Sequence, residues 1–312
     1  MLVSIIIPCY YSEHTITKVV ELIQKEFEGI PDYDCEFVLV NDGSTDGTYE
    51  QITRLAEKYP SVQGVNLIRN FGQHNALMAA LHYVHGDYIL GMDDDMQTHP
   101  SQIHKLVAKI QEGYDLVYGQ YTNKKNSGLK NFTSWLNEVT SRILLSRPKE
   151  ITSSNFWIIT RKVAEEVKKY ESYNPYIDGI FYRVTHNIGN VEVEHHKREY
   201  GSSNYTLRRL IRLWLAYLNY SVIPLRISSV AGSMMAGVGF VAAVVTIIRK
   251  LINPAIPMGW ASTMCVITVF AGLILMSLGI IGEYLGKILL TLNHTPQFIV
   301  RESINTDDEK NK

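Results

Sequence analysis

The chain lacks an excess of charge. Its 312 residues carry 30 Lys and Arg against 31 Asp and Glu, a formal net charge of −1. Nucleic-acid binders show a basic surplus, so that class is set aside. Cysteine is scarce as well: Cys9, Cys35 and Cys265 stand at spacings that match no metal or redox motif. An odd, unpatterned set reads as small buried side chains in a reducing cytoplasm. The N-terminal run from Met1 to Pro8 has neither a basic leader nor a small-residue cleavage site, which excludes a signal peptide. Its β-branched stretch ending at Pro8 reads instead as a buried strand. No internal repeat or low-complexity segment interrupts the chain.

Charge is missing above all from one region. Between Ile227 and Gly282, 56 residues hold only Arg249 and Lys250. The uncharged runs Ile227–Ile248 and Trp260–Gly282, of 22 and 23 residues, each exceed the roughly 20 residues a helix needs to cross a bilayer. Pro254, Pro257 and Gly259 fall between them, as in a hairpin turn, and Trp260 takes the place of an interfacial aromatic. Arg208, Arg209, Arg212 and Arg226 precede the first run, and Lys287 and Arg301 follow the second. The positive-inside rule puts both flanks in the cytoplasm. Leu207–Leu215, apolar on one side with arginines among it, reads as an interfacial amphipathic helix. The expected organisation is therefore a soluble domain over 1–205, a juxtamembrane helix over 206–226, spans over 227–248 and 260–282 around a loop at 249–259, and a cytoplasmic segment over 283–312 with a disordered tail from Asn305.

The first 120 residues alternate strand and helix signals. Strands are expected at Leu2–Ile7, Glu36–Val40, Val62–Leu67, Tyr88–Met92 and Leu116–Tyr118, with helices over Thr15–Phe27, Gly47–Tyr59, His74–Val84 and Gln102–Gln111. Such alternation implies an α/β fold with a mostly parallel, doubly wound sheet, whose ligands bind beyond the carboxyl ends of the strands. The polar residues at those ends are therefore the candidates. The second strand runs into Asp42-Gly43-Ser44-Thr45-Asp46-Gly47, where Asp42 can bond a nucleoside and the cluster can start a helix. The third is followed by Arg69-Asn70-Phe71-Gly72, and the fourth by Asp93-Asp94-Asp95-Met96-Gln97. Three carboxylates after an apolar strand repel one another, and hard oxygen ligands in that number suit Mg²⁺ or Mn²⁺ bridging a diphosphate. Taken alone, the triplet fits a metal site and a solvated acidic turn equally.

Together these segments resemble the family 2 glycosyltransferases of GT-A fold, and within them the polyprenyl-phosphate sugar transferases. The resemblance rests on Ile5–Tyr10, Val40–Asp46, Arg69–Gly72 and Asp93–Gln97, on Lys197–Tyr205, on Pro224-Leu225-Arg226 and on Gly282-Glu283-Tyr284-Leu285-Gly286. It reaches to about residue 302. It implies that Pro8, Tyr10, Glu13, Asp42 and Arg69 surround the base and ribose of a nucleotide-sugar, with Asp93 and Asp94 nearby. It implies a metal and diphosphate site at Asp93, Asp95 and Gln97, and an acceptor-phosphate loop with Arg198, Ser203 and Tyr205. The sequence departs from the pattern at Tyr121, where a basic residue is usual; Lys124 and Lys125 are the substitutes at hand. It departs again at Asn155, where many members carry an acid, and Asp178 is the candidate replacement.

The resemblance implies inverting transfer of a hexose from a UDP-sugar, or alternatively a GDP-sugar, to polyprenyl phosphate at the cytoplasmic face of the inner membrane. A processive polysaccharide synthase would bring a Gln-x-x-Arg-Trp motif and further spans, neither of which is present. A non-catalytic membrane scaffold would have no use for the intact Asp93–Gln97 stretch. Gly282-x-x-x-Gly286 fits helix packing between subunits of a homo-oligomer and a close crossing within one chain equally well. His195-His196 reads as a solvated strand end.

Overall fold

A computed structural model of the chain describes residues 1–30, 32–121, 142, 147–148, 150–194, 223–252 and 259–306. Lys124, Lys125, Arg198, Ser203, Tyr205 and the amphipathic stretch before Ile223 lie outside the described residues.

The N-terminal half winds as its patterning dictates. Strands β1 (Leu2–Cys9), β2 (Asp34–Asn41), β3 (Val62–Leu67) and β4 (Tyr88–Gly91) alternate with α1 (Ile16–Phe27), α2 (Thr48–Lys58) and α3 (Gln73–Leu81). In β1, Val3, Ile5 and Ile7 pack on one face and Ile6 on the other, so an unbroken apolar run fits a strand covered on both sides. The stripe Ile16, Val19, Val20, Ile23 and Phe27 buries one side of α1. A 3₁₀ turn (Pro100–Gln102), α4 (Ile103–Ile110) and β5 (Leu116–Tyr121) follow, then β6 (Trp157–Thr160), α5 (Arg161–Lys168), α6 (Ile177–Val184) and β7 (Ile188–Val193).

The sheet is mixed, which corrects the expectation of a mostly parallel one. Its order is β7-β5-β6-β4-β1-β2-β3-β8. The parallel core β4-β1-β2-β3 is the expected doubly wound unit. Between β4 and β5, however, β6 runs antiparallel to both. The insertion depends on Gly91: a Cβ there would stand 2.4 Å from the Trp157 indole of β6, which fills the space. Trp157 in turn meets Phe181 of α6 edge-on at 4.9 Å.

Beyond the domain come two long helices, α7 (Ile223–Ile252) and α8 (Trp260–Leu292). Ser228 and Ser277 join them through hydroxyls 2.6 Å apart. Large apolar side chains stay exposed along both, among them Phe240, Leu251 and Leu275. Among the described residues one segment, Val269–Leu292, is long and apolar enough to cross a membrane; α7 carries a shorter apolar stretch, Leu225–Val241. The second helix runs on past Gly282 through Glu283 and Lys287 to Leu292 without a break.

The chain then returns to the sheet. β8 (Val300–Ile304) pairs antiparallel with β3 and covers that edge. Asn305, expected in a disordered tail, instead donates to Ala56 O at 2.7 Å and Val62 O at 3.1 Å, and Thr306 is fully buried.

Candidate active site

The carboxyl ends of β1, β2, β3 and β4 bring one group of loops together. Asp42, buried at the end of β2, accepts from Phe71 N at 2.7 Å and Gly72 N at 2.9 Å. Burial raises its carboxyl pKa, and the two amide bonds oppose the rise. The side chain thereby fastens the loop after β3 to the turn after β2. Gly43 completes the closure: at φ +65°, its Cα lies so close that a Cβ would meet the Arg69 carbonyl carbon at 2.2 Å. Arg69 then stacks over the Phe71 ring, 4.4 Å from its centroid.

The turn after β1 rests against the same place. Tyr11, itself left-handed at φ 56°, donates its N–H to Ser44 Oγ at 3.1 Å. Exposed Tyr10 meets the Tyr11 ring edge-on, with Asp42 and the Asn70 side chain close enough to act on its hydroxyl. Tyr10, Asp42 and Arg69 are thus brought together, while Pro8 lies near the end of β1 in register with Val40 of β2. Glu13 is placed behind them, where its Oε2 accepts from Gly47 N at 2.8 Å, at the N-terminus of α2.

The acidic turn lies next to this loop group. Asp93 sits between two amides: Gln73 Nε2 reaches its Oδ1 at 2.7 Å, and Asn155 Nδ2 reaches its Oδ2 at 2.8 Å. Asp94 turns toward β1 and accepts from the Ser12 hydroxyl. Asp95 Oδ1 accepts from Gln97 N at 3.0 Å, closing a tight turn in which Met96 takes φ 59° and buries its side chain. Tyr121 donates to or accepts from Thr98 Oγ1 at 2.8 Å, and its hydroxyl pKa is raised by burial first and by the charges of Asp93 and Asp95 as well. Tyr121 therefore faces the carboxylates from the position where the resemblance expects a cation.

Asp178 is engaged in the layer of α3 and α6. Tyr118 Oη donates to its Oδ1 at 2.7 Å, with Tyr176 and Arg147 beside it. Burial raises its carboxyl pKa. Gln73, Ser12 and the Asn155 amide, which hold the acidic turn, were not singled out in the sequence as positioning groups. The signal for Gln73 is its place as the first residue of α3 after Gly72. Cys9 and Cys35 are free, and burial pushes both thiols up, Cys35 to about 12.

Among the described residues no three His, Cys, Asp or Glu side chains are grouped to hold a metal by themselves. The donor set still fits a hard cation. Mg²⁺ is commonly held by one or two carboxylates together with substrate phosphates, and Asp93 and Asp95 supply carboxylate oxygens at one strand end.

An α/β domain whose loops from four parallel strands converge on a carboxylate turn has its ligand crevice beyond the carboxyl ends of those strands. Residues 4–168 match the model of Glycosyl transferase family 2, and the chain belongs to that family. Similarity to relatives runs the full length. The chain is 31% identical to a bactoprenol glucosyl transferase of Shigella phage SfV, covering 96% of this chain and 98% of that one. It is 30% identical to an undecaprenyl-phosphate 4-deoxy-4-formamido-L-arabinose transferase of Serratia proteamaculans, covering 99% and 96%. Among solved structures it resembles glucosyl-3-phosphoglycerate synthase of Mycobacterium tuberculosis in complex with Mn²⁺ and UDP-glucose, at a TM-score of 0.53 and 19% identity over 70% of this chain and 78% of that one. That likeness shows the fold.

Proposed function

We propose that the protein transfers a sugar, in the first instance a hexose, from a UDP-sugar to polyprenyl phosphate at the cytoplasmic face of the membrane, with inversion at the anomeric carbon. The observation that carries this reading is the placement of the Asp93–Gln97 turn beside the loops braced by Asp42, in a chain similar end to end to transferases named for bactoprenol and undecaprenyl phosphate. The two sets of relatives are named for different sugars, so the donor sugar follows from a substrate screen.

In this reading Tyr10, Asp42 and Arg69 hold the base and ribose. The Gln73 and Asn155 amides orient Asp93 toward the diphosphate, and Asp95 and Gln97 hold the divalent ion with it. A Mg²⁺ or Mn²⁺ held by these residues would offset the charge of the diphosphate leaving group. The acceptor is a phosphate monoester with a second pKa of about 6, so it is already largely anionic at neutral pH. A strong general base is unnecessary, and Asn155 in place of an acid is compatible with turnover. Arg198, Ser203, Tyr205, Lys124 and Lys125 are the groups proposed to receive the acceptor phosphate. Catalysis then rests on positioning and charge.

The helices α7 and α8 serve the lipid. At 1.5 Å per residue, the 30 residues of α7 and 33 of α8 each exceed the roughly 30 Å hydrocarbon core, and we read both as spans. A long isoprenoid stays in the bilayer, so the enzyme works at its surface.

The test is product analysis. Purified full-length protein is given radiolabelled UDP-glucose, UDP-galactose, UDP-N-acetylhexosamines or GDP-mannose, with undecaprenyl phosphate and Mg²⁺ or Mn²⁺. A lipid carrying a single sugar is expected, with Asp95→Ala lowering turnover about a hundredfold or more. A polymer product points to a processive synthase, and unchanged turnover in Asp95→Ala overturns the metal assignment.

A further inference from the structure

A chain of hydrogen bonds through side chains crosses β8, β3 and β2 and enters the loops after β2 and β1. It starts at Glu302 on β8, ten residues past the end of α8. Glu302 Oε1 accepts from Asn66 Nδ2 of β3 at 2.8 Å. Asn66 Oδ1 accepts from Asn41 Nδ2 of β2 at 2.8 Å. Asn41 Oδ1 accepts from Ser44 N at 3.2 Å, and Ser44 Oγ accepts from Tyr11 N at 3.1 Å.

The chain has one polarity. An ionised carboxylate only accepts, so Glu302 draws the NH₂ of Asn66 outward and turns its carbonyl toward β2. The same orientation is then imposed on Asn41. Both amides are buried, at 2% exposure for Asn41 and 9% for Asn66, and buried amides are poorly re-paired by solvent once a partner is lost.

We infer that Glu302 is a positioning residue for the nucleotide pocket. From the sheet edge it sets the two asparagine amides, and through them the Asp42–Gly47 turn and the Tyr10–Tyr11 segment. The inference rests on the reading of those loops as the donor site. Glu302 is not needed to dock β8. Ile68 N donates to Ile299 O at 3.0 Å, Arg301 Nη2 donates to Ile68 O at 3.1 Å, and Asn305 bridges Ala56 and Val62.

The experiment titrates detergent-solubilised full-length protein with UDP in the presence of Mn²⁺ by calorimetry. Glu302→Thr keeps a strand-forming residue but cannot reach Asn66, and should weaken UDP binding about fivefold, the effect of one net hydrogen bond. In the transfer assay it raises the donor KM and leaves kcat near the wild-type value. Glu302→Gln restores an acceptor oxygen and should recover most of the affinity. Wild-type affinity in Glu302→Thr overturns the inference. So does an equal loss in Arg301→Ala, which would make the effect one of strand docking, and so does a Glu302→Thr chain that no longer folds. A wild-type protein that binds no UDP removes the donor-site reading itself, a result distinct from any of these.

Discussion

A carboxyl group at position 155 would stand 2.8 Å from Asp93, where Asn155 instead donates an amide hydrogen. Two carboxylates that close do not ionise together without a cation between them. The departure that looked like a missing acid is therefore a hydrogen bond from Asn155 to one oxygen of Asp93. The sequence shows the substitution but not the partner, because residues 62 positions apart meet only through β6. His74 illustrates the same limit. Its ring packs edge-on against Tyr176 at 4.9 Å, and its buried Nδ1 has no hydrogen-bond partner. Burial lowers its pKa from 6.5 to about 4. The folded protein thus refuses a proton that the unfolded chain accepts. The contribution to stability is full above pH 6.5 and is lost as pH falls toward 4, by up to about 3 kcal/mol. His74→Phe keeps the ring contact and removes the titration. Its thermal midpoint should exceed that of the wild type at pH 5 by more than it does at pH 7.5, and a difference that does not change with pH contradicts the assignment.

At the scale of elements, what the sequence made legible was what repeats locally. The apolar stripe of α1 and the β-branched run of β1 carry their own period, and both elements form within a residue or two of the expected bounds. β6 did not show, since four residues with Trp157 at their head have too little alternation to read, and its antiparallel direction depends on Gly91 far upstream. β8 did not show because its partner lies on the other side of the two long helices. The strand-end loops were legible as chemistry, whereas their mutual bracing was not. Gly43 offers the direct test of that bracing. Gly43→Ala adds a Cβ where the Arg69 backbone already stands and places it at φ +65°. The two loops must separate, and UDP affinity measured by calorimetry should fall about tenfold or more. An affinity equal to that of the wild type would show that nucleotide does not use this junction.

For the whole molecule, the near-zero net charge is an average over two unlike parts. A sheet-based domain carries the charged residues, and two helices with exposed Phe240, Leu251 and Leu275 carry almost none. Exposed apolar surface on that scale marks an interaction face, and in the function proposed above its neighbour is lipid. If the segment Val269–Leu292 spans the bilayer as proposed, Leu275→Arg places a cation inside it at a cost of up to about 3 kcal/mol. The variant should be extracted from membranes by alkaline carbonate to a greater degree than the wild type while the detergent-solubilised protein still binds UDP. Equal retention in the membrane fraction would mean that this helix is not inserted at that depth.

The return of the chain to β3 also sets an order of events during synthesis. β3 is made early, but the strand that covers its edge leaves the ribosome only after both long helices have been translated. Until then the nascent domain presents an unpaired strand, the kind of edge that recruits the wrong partner. Synthesis of the two helices and completion of the sheet are thereby tied into one sequence. A chain that stops between α8 and β8 has both long helices but an unfinished sheet, and lacks the Glu302–Asn66 bond at the edge of β3.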